Sequence, residues 1–264
     1  MLSAEQRAHF ETFGYLVLRQ AFSTQEVAEI SREFDDVLAA DRQGKPFAGD
    51  RRQAVLGFVE QRPILTRLVE SDQVFEAMEQ LLGADFVWVG SDGNLYVGDT
   101  DWHPDQAHPT YLCIKVAFYL DPVAKETGCL RVIPGSHRAP LHEDLQALRA
   151  MTDPAVRPFG MPARDIPCFP LESQPGDVVM FNQSTWHASF GGKTGRRMFT
   201  LNFAARPASS ENEAFLRKVY ESNLEYTRTM QYTNTGRVYN DAFLHSDRPR
   251  IRSMTEKLVE LGFR

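Results

Sequence analysis

The feature that most restricts the fold is a series of short strand-like segments between residues 86 and 207. Each segment is rich in β-branched and aromatic residues, and Gly, Pro or Asp separates it from the next. Many short strands with turn residues between them are typical of a sandwich or barrel and not of a parallel sheet. The segments are "FVWVG", "NLYVG", "YLCIKVAFYL", "CLRVIP", "DVVMF", "STWHASF" and "RMFTLNFAA".

Helical patterns flank this β-rich region. A helix is expected over residues 3–13, since Ser3 suits its start and Gly14 its end. Ser23 and Glu26 have the S-x-x-E spacing of a capping box, which predicts the start of a second helix. A strand, "YLVL", lies between these two helices, and a further helix is expected at about residues 72–82.

The order of these patterns predicts one domain over residues 1–264, mainly β with flanking α-helices. Helices within residues 1–85 should pack on a β core at 86–207, and a helical segment should follow at 208–264. An insertion at 138–174 contains six prolines, and so long an excursion in a compact domain is often functional. It is a candidate lid.

Composition limits the partners that the protein can have. The chain has 29 basic and 35 acidic residues, a formal charge of −6 and no basic stripe, so nucleic acid is not an expected partner. No apolar run reaches the roughly 20 residues that cross a bilayer, and "MLSAEQRAHFE" is too polar for a secretory signal. We expect a cytoplasmic protein, and the sequence leaves its oligomeric state open.

Three isolated cysteines suggest neither disulfides nor a zinc site.

One short motif suggests a metal site. In "TDWHPDQ", His103 and Asp105 are two residues apart, so on an extended segment both side chains project to the same side. His187 in the later segment "QSTWHASF" is a third candidate. Two histidines and one carboxylate leave open coordination positions, as in non-haem iron(II) oxygenases, whereas structural zinc sites use four protein ligands. The remaining histidines are not expected to be ligands: His9, His108, His137, His142 and His245.

A cationic residue follows the third candidate ligand. Arg196 lies nine residues after His187, beyond the glycine-rich turn "FGGKTG". Its planar guanidinium can bind a carboxylate through two hydrogen bonds. Arg197 should face the opposite side of the same strand, so only one of the two can enter the site.

Four motifs occur in an order that resembles the phytanoyl-CoA dioxygenase family of Fe(II)- and 2-oxoglutarate-dependent oxygenases. They are "WHPD", "GCLRVIPGSH", "PGDVVMFNQSTWHAS" and "GRRMFTLNF", and the match covers roughly residues 94–206. The opening "FETFGYLVLRQAFS" is also similar to the family. The resemblance implies a double-stranded β-helix core, which is a jelly-roll of the cupin type.

The resemblance also implies roles for single residues. His103, Asp105 and His187 correspond to the iron ligands, and Arg196 corresponds to the arginine that binds the distal carboxylate of 2-oxoglutarate. Because the turn before Arg196 is shorter than the family usually has, Arg197 remains an alternative.

Three further positions bear on the site. Ser189 corresponds to a hydroxyl beside the arginine, and Asn94 falls where related enzymes bring a polar side chain to the co-substrate. Lys115 is a departure, since the family often has larger or apolar residues on the inward face of that strand. A lysine at the strand edge with its amine in solvent and a lysine in the site are equally good interpretations.

The implied activity is oxidation of a small organic molecule with Fe(II), 2-oxoglutarate and O2, which releases succinate and carbon dioxide. Halogenases of this type have a small residue in place of the carboxylate ligand, so Asp105 favours hydroxylation. Desaturation, epoxidation and ring closure on the same site remain alternatives, as does a catalytically silent metal-binding or regulatory protein. The candidate substrate contacts are Arg51, Arg52, Tyr111, the insertion, Arg237 and Tyr239, although any single loop arginine is more often solvated.

Overall fold

The structure, a computed structural model, describes residues 1–105, 110–153, 155–233 and 236–264, so His108 lies outside the described residues. Eight α-helices occur in these ranges: α1 (Ala4–Phe13), α2 (Thr24–Asp41), α3 (Pro63–Glu70), α4 (Asp72–Leu82), α5 (Leu141–Asp144), α6 (Ser210–Thr229), α7 (Asp241–Leu244) and α8 (Pro249–Glu260). Four 3-10 helices also occur there, at Phe58–Gln61, Lys125–Thr127, Gln146–Thr152 and Ala163–Asp165. No helix in these ranges is both long and apolar enough to cross a membrane.

The strands form two antiparallel sheets. They are β1 (Tyr15–Leu18), β2 (Gln53–Leu56), β3 (Val87–Tyr96), β4 (Thr100–His103), β5 (Cys113–Tyr119), β6 (Leu130–Val132), β7 (Phe169–Leu171), β8 (Val178–Asn182), β9 (His187–Ser189) and β10 (Arg196–Ala204). The large sheet has the order β1-β8-β5-β10-β3-β2, and the small sheet has the order β4-β9-β6-β7. Neighbours in both sheets are mostly distant in sequence, as in a jelly-roll.

The predicted starts of the first two helices are confirmed. Ser3 caps α1, and Gly14 ends it in the left-handed region with φ of 81°. At α2, the Ser23 hydroxyl accepts a hydrogen bond from the Glu26 N–H (3.3 Å), and the Glu26 carboxylate accepts one from the Ser23 N–H (2.8 Å). Both helices begin with a capping box, which satisfies backbone donors that have no partner inside the helix.

The large sheet extends beyond the predicted β core of residues 86–207. Its two edge strands, β1 and β2, come from the N-terminal segment that was expected to be helical apart from "YLVL". Strand β2 could not be predicted, because its four residues "QAVL" follow a polar loop and are too few to show a periodic pattern. Helices contain more residues than strands, yet the sandwich of two sheets is the centre of the molecule.

Packing on the two faces of the large sheet differs. Helices cover its outer face, where Phe34 of α2, Met78 of α4 and Leu258 of α8 join Val116 and Phe199 in one buried cluster. The inner face and the small sheet share a second, smaller cluster. Between the sheets, this second cluster leaves room for a polar cavity.

The proline-rich insertion does not line that cavity within its described residues. Leu148 and Ile166 pack instead with Trp102 and Trp186 of the small-sheet region. The indole N–H of Trp102 also donates to the Ala163 carbonyl (2.7 Å). The described part of the insertion therefore covers the small sheet, and the structure gives no support for a lid there.

Candidate active site

The register of two strands brings the candidate metal ligands together. His103 on β4 and His187 on β9 are direct cross-strand partners. Asp105 follows β4, and its N–H donates to the Gln183 carbonyl (3.0 Å), which turns the carboxylate toward both rings. Ligand atoms of the three residues lie within 4.8 Å of one another. The spacing of the motif and the antiparallel pairing together form the cluster that the sequence predicted.

Hydrogen bonds fix the orientation of both imidazole rings. His103 Nδ1 lies 2.7 Å from the Asp101 carbonyl, and His187 Nδ1 lies 2.8 Å from the Thr185 carbonyl. A carbonyl only accepts, so each Nδ1 carries the hydrogen and each Nε2 presents a lone pair. Both Nε2 atoms face Asp105, at 3.5 and 3.6 Å from its carboxylate oxygens.

The electrostatic surroundings act differently on the three candidate ligands. Burial lowers the pKa of His187, which keeps this ring neutral. Burial also opposes ionisation of Asp105, but the Lys115 ammonium and His187 outweigh it and hold the pKa of the carboxyl well below its usual range. For His103, the Asp105 carboxylate outweighs the effect of burial and raises the pKa. Asp105 is therefore a carboxylate at neutral pH.

Lys115 belongs to the site and does not extend to solvent. It lies on β5, and its Nζ is 2.7 Å from Asp105 Oδ2. The contact is an ion pair rather than a well-directed hydrogen bond, since Oδ2 has no hydrogen-bond partner. Burial alone would lower the pKa of the amine, but Asp105 and Asp92 outweigh it and raise the pKa. Of the two interpretations of this lysine, the structure favours the one in the site.

The two neighbouring arginines face opposite sides of β10. Arg196 is 2% exposed and lines the cavity, and its Nε and Nη1 atoms have no hydrogen-bond partner. Arg197 points outward and pairs with Asp35 (3.1 Å) and Asp121 (3.0 Å). A buried guanidinium with free donors is a strong anion site, because the cost of burying the charge is otherwise uncompensated. The geometry therefore does not support Arg197 as the alternative.

Two glycines make room for the Arg196 side chain. A Cβ atom built on Gly128 or on Gly192 would collide with the Arg196 guanidinium. Both glycines belong to turns, and the second one lies in the "FGGKTG" segment. The turn before β10 thus needs glycine for the space that the arginine occupies as well as for the bend.

Two other predicted residues have partners of their own. Ser189 lines the cavity, and its hydroxyl donates to the Gly128 carbonyl (2.9 Å). Asn94 is fully buried but does not line the cavity. Its amide oxygen accepts two hydrogen bonds from Arg52, at 3.0 and 2.6 Å. The resemblance implied a contact of Asn94 with the co-substrate, but the sequence could not show that Arg52 binds its amide oxygen.

The cavity has a volume of about 310 Å³ and extends from the three candidate ligands to α6. Its outer wall consists of polar and apolar residues of α6 and its surroundings: Val219, Ser222, Asn223, Tyr226 and Val238. This wall could not be predicted, since nothing in the α6 sequence indicates which part of the sheet the helix covers. Tyr111 and Tyr239, which were candidate substrate contacts, do not line the cavity and donate to backbone carbonyls.

The residues present fit a metal ion with an anionic co-substrate. Two imidazole Nε2 atoms and one carboxylate on one side of a cavity are a donor set that Fe(II) accepts, with positions left open. The Arg196 guanidinium lines the same cavity and suits a carboxylate.

Comparison with known proteins gives the family. The family model described as phytanoyl-CoA dioxygenase (PhyH) matches residues 10–199. The chain belongs to this family. The resemblance that the four motifs indicated is therefore confirmed, and the match also includes the end of α1 and all of β1 and β2.

Individual relatives agree with this assignment. An ectoine dioxygenase of Sphingopyxis alaskensis is 28% identical over 155 residues, 52% of this chain and 50% of that protein, so the chain spans about half of this relative's length. The crystal structure of EctD from S. alaskensis in its apoform has a TM-score of 0.60 at 25% identity and covers 77% of each chain. HygX from Streptomyces hygroscopicus, with nickel and 2-oxoglutarate bound, has a TM-score of 0.62 at 18% identity, over 78% of this chain and 88% of that chain. These likenesses confirm the predicted jelly-roll fold.

Proposed function

We propose that this protein is an Fe(II)- and 2-oxoglutarate-dependent dioxygenase that hydroxylates a small organic molecule. The observation that supports this most directly is Arg196, a buried cation with unpartnered donors that lines the same cavity as the His103, Asp105 and His187 cluster. A metal site alone would not need this arginine. A metal site with a dicarboxylate beside it would, because the distal carboxylate then compensates the buried charge.

Each residue has a definite task in this proposal. His103, Asp105 and His187 would hold the metal, and the carbonyl partners of the two Nδ1 atoms would keep both rings in place. Arg196 would bind the distal carboxylate of 2-oxoglutarate. With 2-oxoglutarate, the iron supplies the oxidation by O2 that yields succinate and carbon dioxide.

The reaction outcome and the substrate class follow from two further points. Asp105 occupies the position that a halogenase would leave free for halide, which supports hydroxylation. The ectoine dioxygenase relatives are named for a small molecule, and a cavity of about 310 Å³ suits a substrate of that size. We therefore propose a small metabolite as the substrate.

Anaerobic spectroscopy tests the proposal. Fe(II) and 2-oxoglutarate added to the protein without oxygen should produce a weak charge-transfer absorption in the visible range. His103→Ala should abolish this absorption, because two remaining ligands hold the metal poorly. His245→Ala is a matched control, since His245 is exposed, does not belong to the cluster and does not line the cavity, and it should leave the spectrum unchanged. A wild-type protein that shows no absorption would overturn the proposal and favour a catalytically silent protein.

A further inference from the structure

Arg52 differs from the other loop arginines that were candidate substrate contacts. It lies just before β2 and lines the cavity, with 30% of its side chain exposed. Arg51 points to the surface, where it stacks on Tyr232 and donates to the Thr229 carbonyl. Arg237 is exposed and pairs with Asp241. Of these three arginines, only Arg52 is placed to meet a molecule in the cavity.

The guanidinium of Arg52 is held in one orientation. Its Nε and Nη2 atoms both donate to the Asn94 amide oxygen, and its plane lies over the Tyr96 ring, 4.2 Å from the ring centre. Asp92 is 3.8 Å away, and the Asp92 carboxylate already accepts from the Thr200 hydroxyl and the Asn94 amide. Within the described residues, Nη1 has no hydrogen-bond partner. The edge formed by Nη1 and Nη2 therefore remains free for a two-pronged contact with a carboxylate.

The charged side chains that line the cavity indicate the net charge of the molecule that binds there together with Fe(II) and 2-oxoglutarate. Among the described residues, three cationic side chains line it (Arg52, Lys115 and Arg196) and two carboxylates do (Asp92 and Asp105). Fe(II) and 2-oxoglutarate have equal and opposite double charges, so their binding does not change the balance. One positive charge stays uncompensated in a site that excludes much of the water, and a bound monoanion would neutralise it.

We infer that the substrate of this enzyme carries one carboxylate group, which binds to the free edge of Arg52. This inference rests on the proposed function and adds the chemical class of the substrate. A single carboxylate fits the charge balance, whereas a phosphate ester with two charges would leave an excess of negative charge. Asn94 is a positioning residue in this arrangement, because it orients the guanidinium and does not touch the substrate.

Matched acids and amides test the inference. The probes are small monocarboxylic acids without an amino group, hydroxy acids among them, each paired with its own primary amide. They are added to the anaerobic complex with Fe(II) and 2-oxoglutarate, and their dissociation constants are obtained from the change in the charge-transfer absorption. In the wild type, acids should bind and their amides should not. Arg52→Gln should weaken acid binding about 100-fold, since a buried charged contact loses one partner.

Two further variants keep the result interpretable. Arg52→Lys retains the charge without the planar fork, so it should bind the acids with intermediate affinity. Arg51→Gln removes a charge at the adjacent position on the surface and should behave as the wild type. If no acid perturbs the wild-type absorption more than its amide does, or if Arg52→Gln binds acids as well as Arg51→Gln does, the inference is wrong while the proposed function stands. If the absorption itself never forms, the proposed function fails.

Discussion

The inner and outer ends of the cavity are built in different ways. Strands supply the inner end, with His103 and His187 on one pair of strands and Arg196 on β10. The outer end consists of α6, the start of β2 and the segment around Val238. Strand register fixes the inner distances, whereas the outer ones depend on how a helix packs on a sheet. We therefore expect the inner end to determine the chemistry and the outer end to determine the substrate.

The largest effect should come from Arg196. Arg196→Ala should weaken the binding of 2-oxoglutarate about 100-fold, because it removes one partner of a buried charged contact. Arg197→Ala removes a cation from the same strand but on its outer face, where pairs with Asp35 and Asp121 contribute about 0 to 1 kcal/mol. Titration of the anaerobic Fe(II) absorption with 2-oxoglutarate measures both. If Arg197→Ala weakened 2-oxoglutarate binding more than Arg196→Ala did, the arginine of the inner end would be Arg197 and the assignment of β10 would be wrong by one residue.

A smaller effect on 2-oxoglutarate binding at the inner end is expected when a single methyl group is added at Gly192. Gly192→Ala places a Cβ atom against the Arg196 guanidinium, so it should displace that side chain and weaken 2-oxoglutarate binding about tenfold. The same titration measures the change. In an Arg196→Ala background, the glycine substitution should have no further effect on 2-oxoglutarate. An equal effect in both backgrounds would show that the turn itself is damaged.

Substitutions at the outer end should weaken substrate binding without changing the affinity for 2-oxoglutarate. Tyr226 of α6 lines the cavity, so Tyr226→Ala should raise the apparent KM about fivefold for the molecule that gives the fastest succinate formation. Tyr232 is equally exposed and does not line the cavity, which makes Tyr232→Ala a matched control. A change in 2-oxoglutarate affinity in Tyr226→Ala would contradict the separation of the two ends.

The smallest effect is expected from Glu60, which connects the large sheet to the C-terminal segment. Glu60 accepts hydrogen bonds from the Trp88 indole (2.9 Å) and the Asn240 N–H (2.6 Å), and its burial raises its pKa to about 7. A carboxyl whose pKa is higher in the folded state stabilises the fold at low pH and ceases to do so as the pH rises through that value.

The free energy of unfolding should consequently fall by about 1 kcal/mol between pH 6 and pH 8 through this group. Denaturant titration at several pH values measures how the free energy of unfolding changes with pH. Glu60→Gln cannot ionise, so it should flatten the dependence in this interval even if its overall stability differs. A slope that persists unchanged in the variant would assign it to another residue.

The inner end could be predicted from the sequence because local patterns determine it. The two-residue spacing of His103 and Asp105 and the alternation of Arg196 and Arg197 along one strand indicate which side chains face inward. Lys115 was correctly placed on an inward-facing strand, but its contact with Asp105 could not be deduced. Pairing between distant segments decides that contact.

The outer end could not be predicted for the same reason. Arg52 occurs in a polar loop, and its sequence context is that of a solvated residue. Only the pairing of β2 with β3 brings it to Asn94 and to the cavity. That pairing also explains why the Asn94 amide oxygen has Arg52 as its partner.

The edge strand β1 has a consequence for how the protein is made. Tyr15 pairs with Phe181, and the strand that contains Phe181 leads directly to His187. During synthesis the first strand must therefore wait for a partner that emerges more than half the chain later, and closure of so long a loop is slow. Until then β1 is unpaired, and a chain without β1 would leave the edge of β8 free to pair with other chains. Shortened variants that begin after residue 18 would retain every ligand of the candidate site, yet they should aggregate during expression.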